Sequence, residues 1–318
     1  MTLRSTRALP LPDSPADQES LSGRCSPPKH AAGSLSVEEI LRLGTQTLVT
    51  AGIEDTGLEA EVLLRHVLGL DRAHLFLALS DTLTAEKCAA FTALLQRRLR
   101  HEPVAYIVGH REFYGADLAI DQRVLIPRPE TELLVECALE WASRHPQAHR
   151  IADIGTGSGA IAIALALNLP EATVLAGDIS AEALEVARVN CLGQGVAERV
   201  MLVHGDLLAC LAEPVDLIVA NLPYIETSQM DFLSPDICCF EPAVALDGGE
   251  DGLEVVRRLL SSALSALKSG GALLLEIGQG QGDKALRMAS NFFPQAEVSL
   301  APDMAGIMRV LRIETSES

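Results

Sequence analysis

The C-terminal two thirds of the sequence alternates between short apolar runs and longer amphipathic stretches, and this pattern constrains the fold more than any other feature. The apolar runs predict strands at 150–155, 173–178, 199–205, 216–221 and 271–277. The amphipathic stretches predict helices at 130–144, 158–168, 181–193, 252–268 and 281–292. Two further strand-like segments, 296–302 and 308–313, have no clear helix between them and predict a closing antiparallel hairpin. Such alternation is typical of an α/β fold with a mostly parallel sheet, here of seven strands.

The region before this alternation has a different character. Residues 1–34 contain five prolines among serines and charged side chains and show no apolar periodicity, so we expect a disordered tail. Residues 35–111 predict a small all-α bundle, which begins where Ser36 and Glu39 have the spacing of a capping box. The further helical patterns lie at 57–68, 71–79 and 84–100.

A short β-hairpin is predicted between the two regions. Apolar residues recur between Phe113 and Ile120 as in a strand, and Val124 to Ile126 predict a second strand. We therefore expect residues 112–318 to form a β-hairpin linker followed by the α/β domain.

The net charge excludes several classes of function. The 318 residues contain 25 Lys and Arg against 43 Asp and Glu, a formal net charge of -18. Residues 112–318 hold 13 of the basic and 30 of the acidic side chains, so -17 of that charge lies there. Non-specific binding to nucleic acid or anionic lipid requires a basic surface. No run approaches the ~20 apolar residues of a membrane span. We expect no direct nucleic-acid substrate and no membrane association.

Cysteine and histidine usage indicates the compartment and argues against a metal. The seven cysteines are odd in number and include no C-x-x-C pair, which favours free thiols in a reducing cytoplasm. The eight histidines include no H-E-x-x-H motif, so no metal site is predicted.

A glycine-rich loop follows the first strand of the predicted sheet and opens a helix. It reads Ile151-Ala-Asp-Ile-Gly-Thr-Gly-Ser-Gly159. Its glycines permit a tight turn and close approach of a ligand to the backbone. The G-x-G-x-G spacing differs from the G-x-G-x-x-G of dinucleotide folds, so a pyrophosphate is not required, although a dehydrogenase is the obvious competitor. The candidate cofactor-binding residues in this segment are Asp153, Gly155, Thr156, Gly157, Ser158 and Gly159.

Two more acidic residues end the next two predicted strands. Asp178 lies nineteen residues after Gly159, the usual place of a carboxylate that binds ribose hydroxyls, and Asp206 ends the following strand. Together with Asp153, they put acids at three successive strand ends. This set favours S-adenosylmethionine (AdoMet), a cofactor with a ribose, an adenine and a positively charged sulfonium. The alternative for either Asp178 or Asp206 is a simple strand-end cap.

The fourth strand runs into Asn221-Leu-Pro-Tyr224, where the chemistry becomes specific. The lone pair of a planar amide or aryl amino nitrogen is delocalised, so such a nitrogen is hard to methylate. An asparagine oxygen can accept one N–H of that group and the next backbone carbonyl can accept the other. Tyr224 can pack on the flat substrate group. Catalysis then rests on positioning for an in-line displacement. The alternative is a plain strand-end turn.

Taken together, these motifs resemble the HemK/PrmC family of peptide chain release factor glutamine methyltransferases, over about residues 36–312. Beside the glycine loop and the Asn221 motif, the matching segments are Pro103–Gly109, Glu112–Gly115, Leu125–Glu132, Glu241–Leu253 and Leu275–Gln281. The resemblance implies a Rossmann-like AdoMet-dependent methyltransferase domain and a helical domain at 35–111 that docks the release factor. The implied substrate is the glutamine of a Gly-Gly-Gln motif, and we expect a monomer.

The resemblance also assigns roles to individual residues. It implies that Gly155 to Gly159 and Asp178 hold the cofactor, and that Asp206, Leu207 and Asn221 surround its adenine and methyl end. Asn221, Leu222, Pro223 and Tyr224 would grip the glutamine and form the catalytic set. The commonest family motif is Asn-Pro-Pro-Tyr, and this chain has Leu222 at the first proline. Since leucine keeps the backbone carbonyl, we expect activity to be retained with a modest positioning penalty.

Two other functions compete with this one. A DNA adenine amino-methyltransferase uses similar Asn-x-Pro-Tyr logic on an exocyclic amino group, but it extrudes the base and usually carries basic target-reading segments. The charge of residues 112–318 argues against it. A non-catalytic AdoMet-fold module that only binds a translation factor would have no reason to retain both Asn221 and the glycine loop.

Overall fold

The structure, a computed structural model, describes residues 35–316, so the tail predicted at 1–34 lies outside the described residues. The N-terminal bundle consists of α1 (Val37–Thr50), α2 (Thr56–Leu68), α3 (Arg72–Leu77), α4 (Ala85–Arg98) and α5 (Val104–Val108). The capping box at the start of α1 is present as predicted. The Ser36 Oγ accepts from the Glu39 N–H (3.2 Å), and the Glu39 carboxylate accepts from the Ser36 N–H (2.9 Å).

The bundle buries its own apolar core. Leu48, Leu63 and Phe91 are almost fully buried there, and Ile107 of α5 packs with them. The sequence pattern does not predict α5, because five residues are too few to display a helical period.

The hairpin after the bundle lies earlier in the chain than the sequence predicts. Its strands are β1 (His110–Phe113) and β2 (Ala116–Ala119), which pair antiparallel. The two turn residues, Tyr114 and Gly115, have φ of 49° and 80°. Positive φ at both central positions is typical of a tight two-residue hairpin loop. Tyrosine is not a residue that signals such a turn, so the sequence does not predict the turn at Tyr114. The prediction of one strand from 113 to 120 is therefore wrong.

The predicted second strand at Val124 to Ile126 is also wrong. The backbone polar groups of this segment bind side chains and a local turn, in which the Val124 N–H donates to the Asp121 carbonyl (3.1 Å), instead of a neighbouring strand. The Tyr106 hydroxyl donates to the Val124 carbonyl (2.6 Å), and the Ile126 N–H donates to the Glu241 carboxylate (3.3 Å).

A seven-stranded, mostly parallel sheet forms the second domain, as predicted. The strands are β3 (Arg150–Ile154), β4 (Thr173–Asp178), β5 (Val200–His204), β6 (Val215–Ala220), β7 (Leu267–Glu276), β8 (Glu297–Pro302) and β9 (Met308–Glu314). Their order is β5-β4-β3-β6-β7-β9-β8, in which β3 to β7 run parallel. The closing hairpin of β8 and β9 is antiparallel, as expected.

Helices cover both faces of this sheet. They are α6 (Glu132–Arg144), α7 (Ala160–Asn168), α8 (Ala181–Gly193), α10 (Glu254–Ala266) and α11 (Gly282–Phe292). The four-residue helix α9 (Pro235–Cys238) lies in the segment between β6 and α10. One apolar core contains α6 to α8 and another contains α10 and α11. The chain moves from β3 outward to β5 and then returns to β6 on the other side of β3. In open α/β sheets the ligand crevice lies outside the carboxyl ends of the strands at this reversal.

Some properties concern only the described part of the chain. Within residues 35–316, no helix combines the length and the apolar character needed to cross a bilayer. The same residues contain no cluster of three or more His, Cys, Asp or Glu arranged to hold a metal ion. The six cysteines among them are all free thiols.

Candidate functional site

A cleft of about 430 Å³ opens at the carboxyl ends of the central strands. The residues around it come from the ends of four parallel strands and from a segment that follows β6. Those predicted from the sequence are Gly155, Gly157, Asp178, Asp206, Leu207, Asn221, Leu222 and Pro223. The structure thus brings together residues that lie up to 68 positions apart in the sequence.

The glycine loop adopts the tight conformation that its composition predicts. Gly155, Gly157 and Gly159 have φ of 76°, 54° and 82°, a region that L side chains rarely adopt. A Cβ at Gly157 would meet no atom within 4 Å, so this backbone borders open space. A Cβ at Gly155 would lie 3.1 Å from the Leu222 Cδ2. The leucine that departs from the usual family motif therefore packs, almost fully buried, against the glycine loop.

The other predicted loop residues support the loop from within. Asp153 is fully buried, and its Oδ2 accepts from the Thr156 hydroxyl (2.6 Å) and from the Ala162 N–H (3.1 Å). Burial raises the pKa of Asp153 to about 7. Ser158 is also buried, and its carbonyl accepts from the Asn190 side chain (2.9 Å). Asp153, Thr156 and Ser158 do not line the cleft.

Asp178 connects the loop to the next strand. Its two carboxylate oxygens accept hydrogen bonds from the Gly157 N–H and the Ser180 N–H, both at 2.8 Å. The carboxylate lines the cleft, and its remaining lone pairs can accept ribose hydroxyls there. A strand-end cap would require only these two backbone hydrogen bonds. The exposure of the Asp178 carboxylate to the cleft supports a role in ligand binding as well.

Asp206 and Leu207 form the next part of the wall. Asp206 is exposed and forms an ion pair with Arg258, which also lines the cleft. Leu207 has φ of 50°, a strained conformation for a non-glycine residue. The pair of side chains can contact an adenine, Leu207 with its apolar surface and Asp206 with its acceptor oxygens.

Asn221 lies where the cleft meets a second, smaller pocket of about 120 Å³. Arg128, Tyr224 and Leu246 are among the residues that line only the smaller pocket. Asn221 Nδ2 donates to the Thr131 hydroxyl at 3.0 Å. Burial raises the pKa of the Tyr224 hydroxyl to about 12, so it remains a neutral donor near neutral pH.

The backbone after Asn221 is held in place by two other segments. The Tyr224 carbonyl accepts from the Gln281 side-chain amide (2.8 Å). Gly248 approaches so closely that a Cβ on it would lie 2.7 Å from the Pro223 carbonyl oxygen and 2.8 Å from the Tyr224 Cα. The matching segments around Gly248 and Gln281 thus support the Asn221 motif.

Two residues next to Asn221 are not predicted as site residues from the sequence. Thr131 precedes α6, and Glu276 ends β7; both are buried. Burial raises the pKa of Glu276 to about 7. A signal for Glu276 exists in the sequence, since it is a single charged residue at the end of the apolar run Ala272-Leu-Leu-Leu. A buried strand that ends in an acid at the ligand edge predicts a functional carboxylate.

Comparison with known proteins matches two parts of the chain to described families. Residues 39–109 match the family model described as the PrmC N-terminal domain, and residues 129–235 match the methyltransferase small domain. A release factor glutamine methyltransferase of Bradyrhizobium diazoefficiens is 40% identical over 278 residues, which cover 87% of this chain and 94% of that protein. Its counterpart from Moorella thermoacetica is 41% identical over 273 residues, 86% of this chain and 96% of that protein.

A solved structure has the same fold at low sequence identity. It is the hMettl16 catalytic domain in complex with the MAT2A 3'UTR hairpin 6, with a TM-score of 0.52 and 15% identity. The alignment covers 74% of this chain and 84% of that chain. At this identity the likeness concerns the fold alone.

Proposed function

The chain belongs to the release factor glutamine methyltransferase family, and we propose that it methylates the side-chain amide nitrogen of glutamine in the Gly-Gly-Gln motif of peptide chain release factors. It is an AdoMet-dependent enzyme. When bound, AdoMet supplies an electrophilic methyl group on a positively charged sulfur. In the transfer, a nitrogen–carbon bond would form as the methyl carbon–sulfur bond breaks, sulfur would keep the electron pair of that bond, and the proton released from the nitrogen would pass to solvent water.

The residues around the cleft fit this cofactor. Gly157 presents open backbone to the cleft, and Asp178 presents an acceptor carboxylate beside it. Asp206 and Leu207 provide polar and apolar contacts farther along the same wall. We propose that these residues, with Gly155, hold the ribose and adenine, whereas Asp153, Thr156, Ser158 and Gly159 shape the loop from below.

The position of Asn221 is the main support for the proposal, because this residue borders both the cleft and the smaller pocket. Its Nδ2 is engaged by Thr131, so its Oδ1 is the atom that can accept an N–H of the glutamine. The Leu222 carbonyl would accept the second N–H, while Pro223 and Tyr224 bound the flat amide. Fixing both N–H groups aims the nitrogen at the methyl group, and this positioning is the main catalytic contribution.

The partner we propose is a protein, not a nucleic acid. The charge of -17 in residues 112–318 disfavours a phosphate backbone and suits a basic protein loop. The helical bundle at 35–111 would dock the body of the release factor. We propose that the protein acts as a monomer. Free thiols at all six described cysteines support the cytoplasm as the place of action.

One transfer experiment tests the proposal against both alternatives. The protein is incubated with methyl-labelled AdoMet and either unmodified release factor or duplex DNA. We expect label on the Gly-Gly-Gln glutamine, and a loss of about 10²-fold or more in Asn221→Ala, since a positioning contact to the reacting group is removed. Asn168→Ala, at the far end of α7, is the matched control and should retain full activity. Label on DNA, or AdoMet binding without any transfer, would contradict the proposal.

A further inference from the structure

Asn221 is supported from behind by two buried polar side chains. Its Nδ2 donates to the Thr131 hydroxyl at 3.0 Å, and both Thr131 and Glu276 are at most 4% exposed. Strands β6 and β7 are parallel neighbours in which Ala220 pairs with Leu275. The next residues along these strands are Asn221 and Glu276, so the sheet register itself brings the carboxylate beside the asparagine.

The surroundings of Glu276 allow the charge of its carboxylate to change near neutral pH. Burial raises its pKa to about 7, and the Oε2 atom has no hydrogen-bond partner among the described residues. Interactions with Thr131, Arg309 and Asn221 favour the charged form, while the negative charge of Glu130 opposes it. The Tyr224 hydroxyl, which is neutral near neutral pH, also interacts with Glu276.

The direction of hydrogen bonding decides which end of the Asn221 amide faces the pocket. A threonine hydroxyl can donate or accept, so Thr131 alone would tolerate either orientation of the amide. An ionised carboxylate can only accept. An ionised Glu276 can accept from the Thr131 hydroxyl, which leaves that hydroxyl to accept from Asn221 Nδ2, as it does in the structure, and directs Oδ1 away from both.

We propose that Glu276, acting through Thr131, is a positioning residue that keeps Asn221 Oδ1 directed at the substrate amide. The inference rests on the proposed function, in which Oδ1 accepts an N–H of the glutamine. In the flipped orientation, two N–H donors would face each other across the pocket and the glutamine nitrogen would turn away from the methyl group. The effect therefore concerns turnover of bound substrate more than cofactor binding.

The test is the pH profile of kcat at saturating AdoMet and release factor, with wild type and Glu276→Gln compared. A group with a pKa of about 7 is mostly charged at pH 8 and mostly neutral at pH 6, so wild-type kcat should fall about tenfold between them. Glu276→Gln should reduce kcat at pH 8 about tenfold, as loss of one orienting hydrogen bond does, and should vary less than about twofold over this range. The AdoMet Kd of the variant should stay within about twofold of wild type.

Further variants separate orientation from folding and from general charge. Thr131→Ser keeps the hydroxyl and should retain kcat within about twofold, whereas Thr131→Val should lose about tenfold. Glu130→Gln removes an exposed neighbouring charge without contacting Asn221, and its kcat at pH 8 should equal that of wild type. If wild type shows no release factor methylation, the proposed function fails. If wild type is active and Glu276→Gln reproduces its kcat and pH profile, the positioning role alone is overturned.

Discussion

At the scale of single residues, the close contact between Gly248 and the backbone after Asn221 fixes the position of the segment that we propose holds the substrate amide. A Cβ on Gly248 would come within 2.7 Å of the Pro223 carbonyl oxygen and 2.8 Å of the Tyr224 Cα. Both are backbone atoms, which cannot swing aside as a side chain can. Any larger residue at 248 must therefore displace the segment that, in the proposed function, presents the Leu222 carbonyl to substrate.

We predict that Gly248→Ala reduces methyl transfer more than tenfold, since a displacement of ~1 Å in a positioning site can cost about 10²-fold. AdoMet affinity should remain within about twofold, because Gly248 does not line the cleft. Steady-state kinetics and calorimetric titration with AdoMet measure the two quantities. The matched control is Gly57→Ala on α2, where a Cβ meets nothing within 4 Å. Equal activity of the two variants would refute the prediction.

Residue types at strand ends can be predicted from the sequence more readily than the direction in which they point. Asp153, Asp178 and Asp206 all follow apolar runs, and all three therefore qualify as ligands of a cationic cofactor. In the structure Asp178 and Asp206 reach the cleft, whereas Asp153 is turned inward to bind Thr156. The spacing of the residues does not predict the direction of each side chain, because the conformation of the glycine loop next to Asp153 determines it.

At the scale of elements, an ion-pair network joins the helical bundle to the segment that covers the site. Arg98 of α4 is buried and donates to Glu59 of α2 (2.6 Å) and to Asp236 of α9 (2.8 Å). His101 contacts the other oxygen of Asp236 at 3.1 Å. Helix α9 belongs to the excursion at 225–253 that follows Tyr224, so this network couples the bundle to the side of the cleft where the smaller pocket lies.

We predict that Asp236→Ala raises the KM for the release factor about three- to tenfold while the AdoMet Kd stays the same. Removing one carboxylate partner of the buried Arg98 costs on the order of 2–3 kcal/mol, and part of that cost loosens the 225–253 segment. The comparison is Asp231→Ala, an exposed acid in the same segment. A KM unchanged in Asp236→Ala, or changed equally in Asp231→Ala, would show that the network does not position the segment.

Long, periodic elements follow the sequence closely, and short ones do not. Helices α6, α8 and α11 lie within three residues of their predicted bounds. The hairpin turn at Tyr114 and Gly115 escapes prediction because a tyrosine seldom adopts the positive φ found there. The excursion at 225–253 is not predicted either, because it is held in place by contacts with distant residues, such as the ion pair of Glu241 with Arg128. Contacts with residues far away in the sequence produce no periodic pattern in the local sequence.

At the scale of the whole molecule, acidity is the property that links stability to the site. The charge of -17 in residues 112–318 includes two carboxyls, Asp153 and Glu276, whose pKa burial raises to about 7. Both lie under the ligand edge of the sheet. The ordinary pKa of an aspartate is about 3.9, so between pH 4 and 7 the folded chain retains protons that the unfolded chain has released. Stability from these two groups therefore declines as pH rises through this window.

Asp153 allows this linkage to be measured, because its environment suits an amide. An asparagine oxygen can accept from Thr156 and Ala162 as the carboxylate does, and the amide nitrogen would replace Oδ1, which has no partner among the described residues. The asparagine of Asp153→Asn does not titrate. The free energy of unfolding of this variant, relative to that of wild type, should therefore rise by roughly 2–3 kcal/mol between pH 5 and pH 8. Urea unfolding at the two pH values measures this gain. A difference between variant and wild type that stays constant with pH would mean that Asp153 is already ionised in the fold, and the glycine loop would then rest on a buried charge instead of a neutral acid.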